Sequence, residues 1–318
     1  MAAGTKSNFK IYEEQFFGGM NEVLTQNSNA FNEASNGAIS FITNAKRGDF
    51  EDESFMQRVP ALVSRRDVTS VSSAADIPMT QEEERRVKCN QKIGPVANTM
   101  DSFRKISRDP REMSFFIGEQ TAKAAQVRNL NLALIAGEAA IDGQTDLEFT
   151  ATSTLDYAEL ADGLQLLGDN SGDVIAWAMH SKVATDLLKQ AISDKITNIA
   201  DVAIIQGSIF SLGRPIIVTD SSALIVAGSP NQYVTLGLKR NGIQVVQSEE
   251  QEIVSEVVTG LENLVLRIQG EYAVNIGVMG FKWTTTVNPT DAQLGTSGNW
   301  TKVAASHKSC AGVRILSA

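Results

Sequence analysis

The stretch REMSFFIGEQTAKAAQVRNLNLALIAGEAAIDG, residues 111–143, constrains this chain more than any other segment. Val127, Leu130, Leu134 and Ile141 recur at helical spacing, and the many alanines let neighbouring backbone approach the helix closely. Asp109 is placed to cap the helix. Pro110 suits its first turn, where the missing N–H has no helical partner anyway, and Gly143 stands where a left-handed stop is expected. At 1.5 Å per residue the pattern predicts a helix roughly 40 Å long, against an average of about three turns. A rod of that length needs a partner surface of similar length.

Residues 264–276, LVLRIQGEYAVNI, offer one. Leu264, Leu266, Ile268, Tyr272, Val274 and Ile276 alternate with Arg267, Gln269, Glu271 and Asn275, the period of a half-buried strand. At about 3.3 Å per residue it too spans roughly 40 Å. Helix and strand are expected to lie together as one elongated platform. Between them, residues 146–248 read as a compact α/β unit. Ser153 and Asp156 have capping-box spacing before Leu160, Leu164 and Leu167. A strand Val174 to Met179 leads into a helix with Val183, Ala184, Leu187, Leu188 and Ala191 on its buried stripe, and the dipeptide Asn241-Gly242 predicts a tight hairpin turn.

Residues 58–96 alternate β-branched and polar residues on both sides of a Ser/Ala/Asp/Pro turn region, predicting a two-limbed hairpin. Few of these residues are large and apolar, so such an arm is marginal by itself and something else must hold it. Arg65 and Arg66 on one limb and Glu82, Glu83 and Glu84 on the other form patches of opposite sign, the candidate contacts with whatever holds the arm; the family resemblance given below makes that a neighbouring subunit. Residues 18–54, rich in Asn, Ser, Gly and acidic groups, read as an arm of short helices and loops.

Chemistry is sparse. The chain has two histidines and two cysteines, and Cys89 and Cys310 lie far apart with no C-x-x-C pair, so neither a zinc site nor a disulfide framework is expected. Phosphate-loop, dinucleotide-fold, nucleophile-elbow and zinc-protease motifs are missing, and no cofactor or metal is expected. His180 and Ser181 sit at a strand-to-helix junction, where both can bond the free amides of the helix start; a hydrolase using them is the alternative reading. Trp177 is expected in the core, while Trp283 and Trp300 can anchor an interface or a strand end. The net charge of -9, from 28 basic and 37 acidic residues, disfavours a surface that grips nucleic-acid phosphates. The first residues lack a secretory layout and no apolar run is long enough for a membrane helix, so a cytoplasmic protein is expected.

GDVIAWAMHSKVATDLLKQ followed by IIQGSIFSLGRPIIVTDSS resembles the strand, helix and loop run of tailed-phage major capsid proteins of the Hong-Kong-97 type. The tail GVMGFKWTTTVNPTDAQLGTSGNWTKV resembles the C-terminal signature of a subgroup from short-tailed and related phages. The resemblance implies an α+β fold. Residues 1–54 would be an N-terminal arm, 55–100 an extended hairpin loop, 101–145 and 249–290 a peripheral domain with a spine helix, 146–248 an axial α/β domain, and 291–318 a C-terminal extension. It implies a non-enzymatic shell protein that assembles with itself into hexamers and pentamers around double-stranded DNA, in a virion formed in the host cytoplasm. Portal and scaffolding proteins would be its partners, with a decoration protein as a further candidate. In some members a loop lysine is joined to a neighbour's asparagine; Lys88 and Lys92 lie in the corresponding region, no matching asparagine stands out, and no crosslink is expected. A bacterial nanocompartment shell of the same fold is a second reading.

Overall fold

The computed structural model describes residues 6–44, 48–57, 59, 62–63, 65–66, 68–73, 75–99, 101, 110–198 and 212–318. The chain opens with helix α1 (Lys6–Ala34), then strands β1 (Ile39–Thr43), β2 (Phe50–Met56) and β3 (Gln81–Thr99), then helix α2 (Pro110–Ile141). Next come β4 (Glu148–Thr150), α3 (Tyr157–Gln165), β5 (Val174–His180), α4 (Ser181–Asn198), β6 (Ile216–Thr219), β7 (Ile225–Val226) and β8 (Gln232–Lys239). The long strands β9 (Ile243–Val258) and β10 (Val265–Val278) follow, then β11 (Phe281–Trp283), the single turn α5 (Asp291–Leu294), β12 (Trp300–Lys302) and β13 (Gly312–Ser317).

Two sheets share these strands. The first runs β1-β9-β10-β3-β11-β12, with β2 added on β3; the second runs β4-β13-β8-β5-β6, with β7 on β8. The last strand of the chain therefore lies inside the second sheet, parallel to β4 and antiparallel to β8. Helix α2 touches β9 and β10 of the first sheet and β8 and β13 of the second. That explains its alanines. Leu132, Ala133, Leu134, Ala136, Ala139, Ala140 and Ile141 are all buried, and a Cβ on Gly137 would come 2.4 Å from Ile243 Cδ1. A helix covered on several sides must be apolar and slim all round. Its 32 residues make it about 48 Å long, and Gly143 adopts the expected left-handed conformation after it, φ 75°. Val127 does not belong to the buried stripe; it is 59% exposed. Asp109, the expected cap, lies outside the described residues.

Several expectations give way to tertiary context. Over residues 18–54, where short helices and loops were expected, the chain forms the end of one long helix, α1, then β1 and most of β2. The Asn, Ser and Gly of α1 are weak helix formers, but packing against α2 overrides propensity. Phe16 and Met20 are buried in a cluster with Ala122, Ile253 and Ile268, and Gly118 lets the helices approach so closely that a Cβ there would lie 2.5 Å from the Phe16 carbonyl oxygen. Asn32 fixes the next strand by donating to the Phe41 carbonyl and accepting from its N–H, both at 2.9 Å.

The hairpin is displaced from its expected place. The strand that pairs with β3 is β2, in register from Phe50 opposite Val87 to Met56 opposite Gln81, whereas the described residues between 57 and 80 form no strand. Nor is β3 a free arm: most of its length pairs with β10. Asn241-Gly242 is a turn but not a hairpin, because β8 and β9 belong to different sheets. Asn241 takes the positive φ, 54°. The capping box before α3 is formed by Asp156 and Glu159, not Ser153 and Asp156. Along β10, Ile268, Tyr272, Val274 and Ile276 are buried as the alternation predicts, but Asn275 is buried too, and Leu264 lies just before the strand and is exposed. The face carrying Asn275 is covered: its amide donates to Glu51 at 3.2 Å, and Arg86 lies across Gly277.

Candidate assembly surface

The β2–β3 hairpin is stiffened by charge pairs that the cross-strand register sets up. Asp52 opposes Arg85, and the guanidinium binds both carboxylate oxygens, at 2.6 and 3.0 Å. The hydrogen bond from Arg85 holds the Asp52 carboxyl below the usual carboxylate range. Arg85 also lies over the Phe50 ring. Arg86 reaches Glu51 at 3.0 Å and Glu53 at 2.6 Å. Glu83 pairs with Lys282 at 3.0 Å, and Glu84 accepts the Gly280 N–H at 2.6 Å, with burial pushing its carboxyl pKa up. Lys88 is buried and paired with Glu249; Lys92 is exposed.

Of the five residues expected as contacts, Glu83 and Glu84 are thus engaged within the chain. Arg65 and Arg66 are exposed, and no ion pair joins either to another described residue. They ride on a loop cinched at its base, where the Gln57 N–H donates to the Thr80 carbonyl at 3.0 Å and the Thr80 hydroxyl to Gln57 Oε1 at 2.9 Å. Leu62, Val63, Val68 and Val71 stand out from this loop, 71% to 103% exposed. Four aliphatic side chains on this one segment thus stand in water. The composition of residues 58–80 signalled a coreless segment; nothing in it signalled that the pairing strand lies upstream, at residues 50–56.

His180 caps the helix that follows it. Its Nδ1 accepts the Lys182 N–H at 3.1 Å, satisfying a free amide at the start of α4, and its ring lies against Tyr233. Nε2 stands 3.9 Å from Asp220. Trp283 and Trp300 are both buried and meet edge to face, centroids 5.1 Å apart, across the β11–β12 pair. Each indole N–H finds a carbonyl, Thr286 and Leu294 respectively, so they anchor strand ends rather than an open interface. Cys89 and Cys310 are buried and free, with thiols pushed up to about 12 and about 11 by burial. Among the described residues no group of three or more His, Cys, Asp and Glu is placed to hold a metal, and no helix is long and apolar enough to cross a membrane.

Two sheets bridged by one long helix, with an exposed loop that has no core of its own, are the features that the comparisons with known proteins must match. The major capsid protein 13-like family model matches residues 8–314, and the chain belongs to that family. It is a capsid shell protein. Solved structures of similar fold include one from Microbacterium phage Oxtober96, with TM-score 0.52 and 11% identity over 77% of this chain and 84% of that one. The capsid of cyanophage Pam1 matches at TM-score 0.50 and 9% identity over 88% of each chain. The head of Helicobacter pylori bacteriophage KHP40 matches at 0.51 and 7% over the same shares. No curated protein matches the chain.

Proposed function

We propose that this chain is the major capsid subunit of a tailed phage of the Hong-Kong-97 type, assembling into hexamers and pentamers of an icosahedral shell around double-stranded DNA. The observation that carries the reading is the loop between β2 and β3, which exposes Leu62, Val63, Val68 and Val71 in a family of shell subunits. Apolar surface of this kind is covered when copies of one chain meet through heterologous contacts that close into a particle. In that reading residues 1–54 form the N-terminal arm, 55–100 the extended loop, 101–145 and 249–290 the peripheral domain, 146–248 the axial domain and 291–318 the C-terminal extension, whose β13 completes the axial sheet. Arg65, Arg66 and Glu82 contact neighbouring subunits, with Glu83 and Glu84 bracing the stem beneath them. A net charge of -9 suits a wall that must enclose DNA without gripping phosphates. Portal and scaffolding proteins, and a decoration protein where one exists, complete the virion, which is assembled in the host cytoplasm.

Electron microscopy and sedimentation of the protein expressed alone test this. Rings or closed shells tens of nanometres across are expected; a monomer at every concentration overturns the reading. Nucleic acid inside particles from infected cells separates a virion from a nanocompartment, which would hold an enzyme cargo instead.

A further inference from the structure

The dipeptide Asn-Gly stands at 36–37 and again at 241–242, and the fold brings the two together. Asn36 and Asn241 both hold left-handed backbone, each at φ 54°, and the Asn241 N–H donates to the Gly37 carbonyl at 2.7 Å. Both asparagines are exposed.

Asn-Gly is open to one covalent change, because glycine has no Cβ to hinder approach to the neighbouring side chain. The glycine backbone nitrogen loses its proton and attacks the asparagine Cγ. The new N–C bond closes a succinimide ring, and the side-chain nitrogen leaves as ammonia. Water then opens the ring at either carbonyl, giving aspartate, or isoaspartate, in which the main chain runs through Cβ and Cγ. Water enters and ammonia leaves, with no change of oxidation state. Before it can attack, the glycine nitrogen must give up its own hydrogen bond. Gly37 donates to the Asn32 carbonyl at 2.8 Å and Gly242 to the Lys239 carbonyl at 3.0 Å, so the rate at each site follows the cost of opening it.

The two turns differ in what holds them. Asn36-Gly37 ends α1, and its N–H groups are tied to that helix end alone: Asn36 to Glu33 at 3.1 Å, Gly37 to Asn32, and Ala38 to Ser35 at 3.1 Å. A Cβ on Gly37 would meet no heavy atom within 4 Å, so the backbone there has room to move. Gly242 is buried between the sheets. A Cβ on it would lie 2.7 Å from the Ala311 carbonyl oxygen, its own carbonyl accepts the Met279 N–H at 3.0 Å, and Ile243 beside it is fully buried. Freeing its nitrogen means parting the ends of β10 and β13. Helix ends fray at little cost, whereas packed strands open only as larger units.

We propose that Asn36 is a site of spontaneous deamidation in the folded chain, and that Asn241, with the same dipeptide, is shielded from it. Isoaspartate at 36 adds a main-chain carbon between α1 and β1, next to the carbonyl that holds Asn241. It draws the Gly37 carbonyl off the Asn241 N–H and loosens the turn that passes from one sheet to the other. Nothing in this depends on the shell reading.

The test incubates the full chain in mildly alkaline buffer, folded and in urea, and follows deamidation of the two peptides by mass spectrometry, with isoaspartate marked by enzymatic methylation. In the folded chain Asn36 is expected to react faster than Asn241 by about tenfold or more, the ratio of the two opening equilibria. In urea the rates are expected to converge. Equal rates in the folded chain, a faster Asn241, or no reaction at Asn36 while the unfolded chain reacts overturns the assignment. Asn36→Asp carries the new charge without the added carbon, and is expected to melt above the isoaspartyl fraction purified from the aged protein. Coincident melting of the two overturns the coupling to the Asn241 turn.

Discussion

Arg314 of β13 donates to Glu138 of α2 at 2.9 Å from a position where the arginine side chain is only 4% exposed. The same guanidinium reaches Glu148 of β4 at 2.7 Å and Asp142 at 3.2 Å, so one cation ties the long helix to the second sheet against three carboxylates. Burial pushes the Glu138 carboxyl pKa up, Arg314 opposes that, and Asp142 and Glu148 add to it.

The pH dependence follows from that direction. The folded chain holds the Glu138 proton more tightly than the unfolded chain, so this group favours the folded state below its ordinary value of 4.5, and the contribution is lost as pH rises through the folded pKa. Glu84, also raised by burial, has the same sign. Glu138→Gln should therefore flatten the decline in melting temperature of the unassembled subunit from pH 4.5 to 7; an unchanged slope contradicts the assignment. Arg314→Met leaves the carboxylates without their cation and should cost about 3–5 kcal/mol at pH 7, read from denaturant unfolding.

At the Asn241-Gly242 turn the two residues should respond oppositely to a small side chain. A Cβ on Gly242 would lie 2.7 Å from the Ala311 carbonyl oxygen and 3.0 Å from that of Lys239. Both are backbone atoms with little room to yield, so Gly242→Ala should destabilise by about 1–3 kcal/mol. Asn241 holds the positive φ, where glycine is at ease, so Asn241→Gly should stay within about 0.5 kcal/mol of wild type and Asn241→Val should lose about 1–2 kcal/mol. Thermal melting of the three variants checks the order.

His180 is expected to behave as a helix cap. His180→Ala removes the acceptor for the Lys182 amide and should cost about 0.5–2 kcal/mol, whereas His180→Asn supplies a new acceptor and should recover most of it. Particle yield should survive the asparagine variant. Equal losses for alanine and asparagine would assign the residue's role to its ring packing on Tyr233 instead.

Reversing Arg65 and Arg66 to Glu should leave the unassembled subunit's melting temperature unchanged, because neither is paired among the described residues and exposed ion pairs are worth under about 1 kcal/mol. If the proposed shell contact holds, assembly should fail, since like charges juxtaposed at an interface cost several kcal/mol each and such a contact would repeat around the particle. Sedimentation at low and moderate salt is the measurement, with partial recovery at the higher salt, where the Debye length is shorter. Full particle yield at low salt returns this loop to plain solvent-exposed chain.

The elements with a strong local period were legible residue by residue. The α2 pattern, its Gly143 stop, the alternation of β10 and the β5–α4 junction at His180 all follow from side-chain spacing along the chain. The shell class was legible only through resemblance in the stretches from residue 172 onward and in the tail. Among the candidate contacts, Arg65 and Arg66 stand exposed as expected. Glu83 and Glu84 could not be assigned from their run of charge, because Lys282 and the Gly280 amide, almost two hundred positions away, decide what they face.

The sequence by itself determined where backbone could be helical or extended, since hydrophobic period and turn residues act over a few positions. Only the tertiary structure decided which strands became neighbours. It placed β2 rather than residues 58–80 beside β3, sent β8 and β9 into different sheets across one turn, brought β13 between β4 and β8, and drew a weak helix former into the full length of α1. These choices rest on burial and cross-strand pairing between segments distant in the chain, whose free energy depends on every element present at once and leaves no period in any one of them.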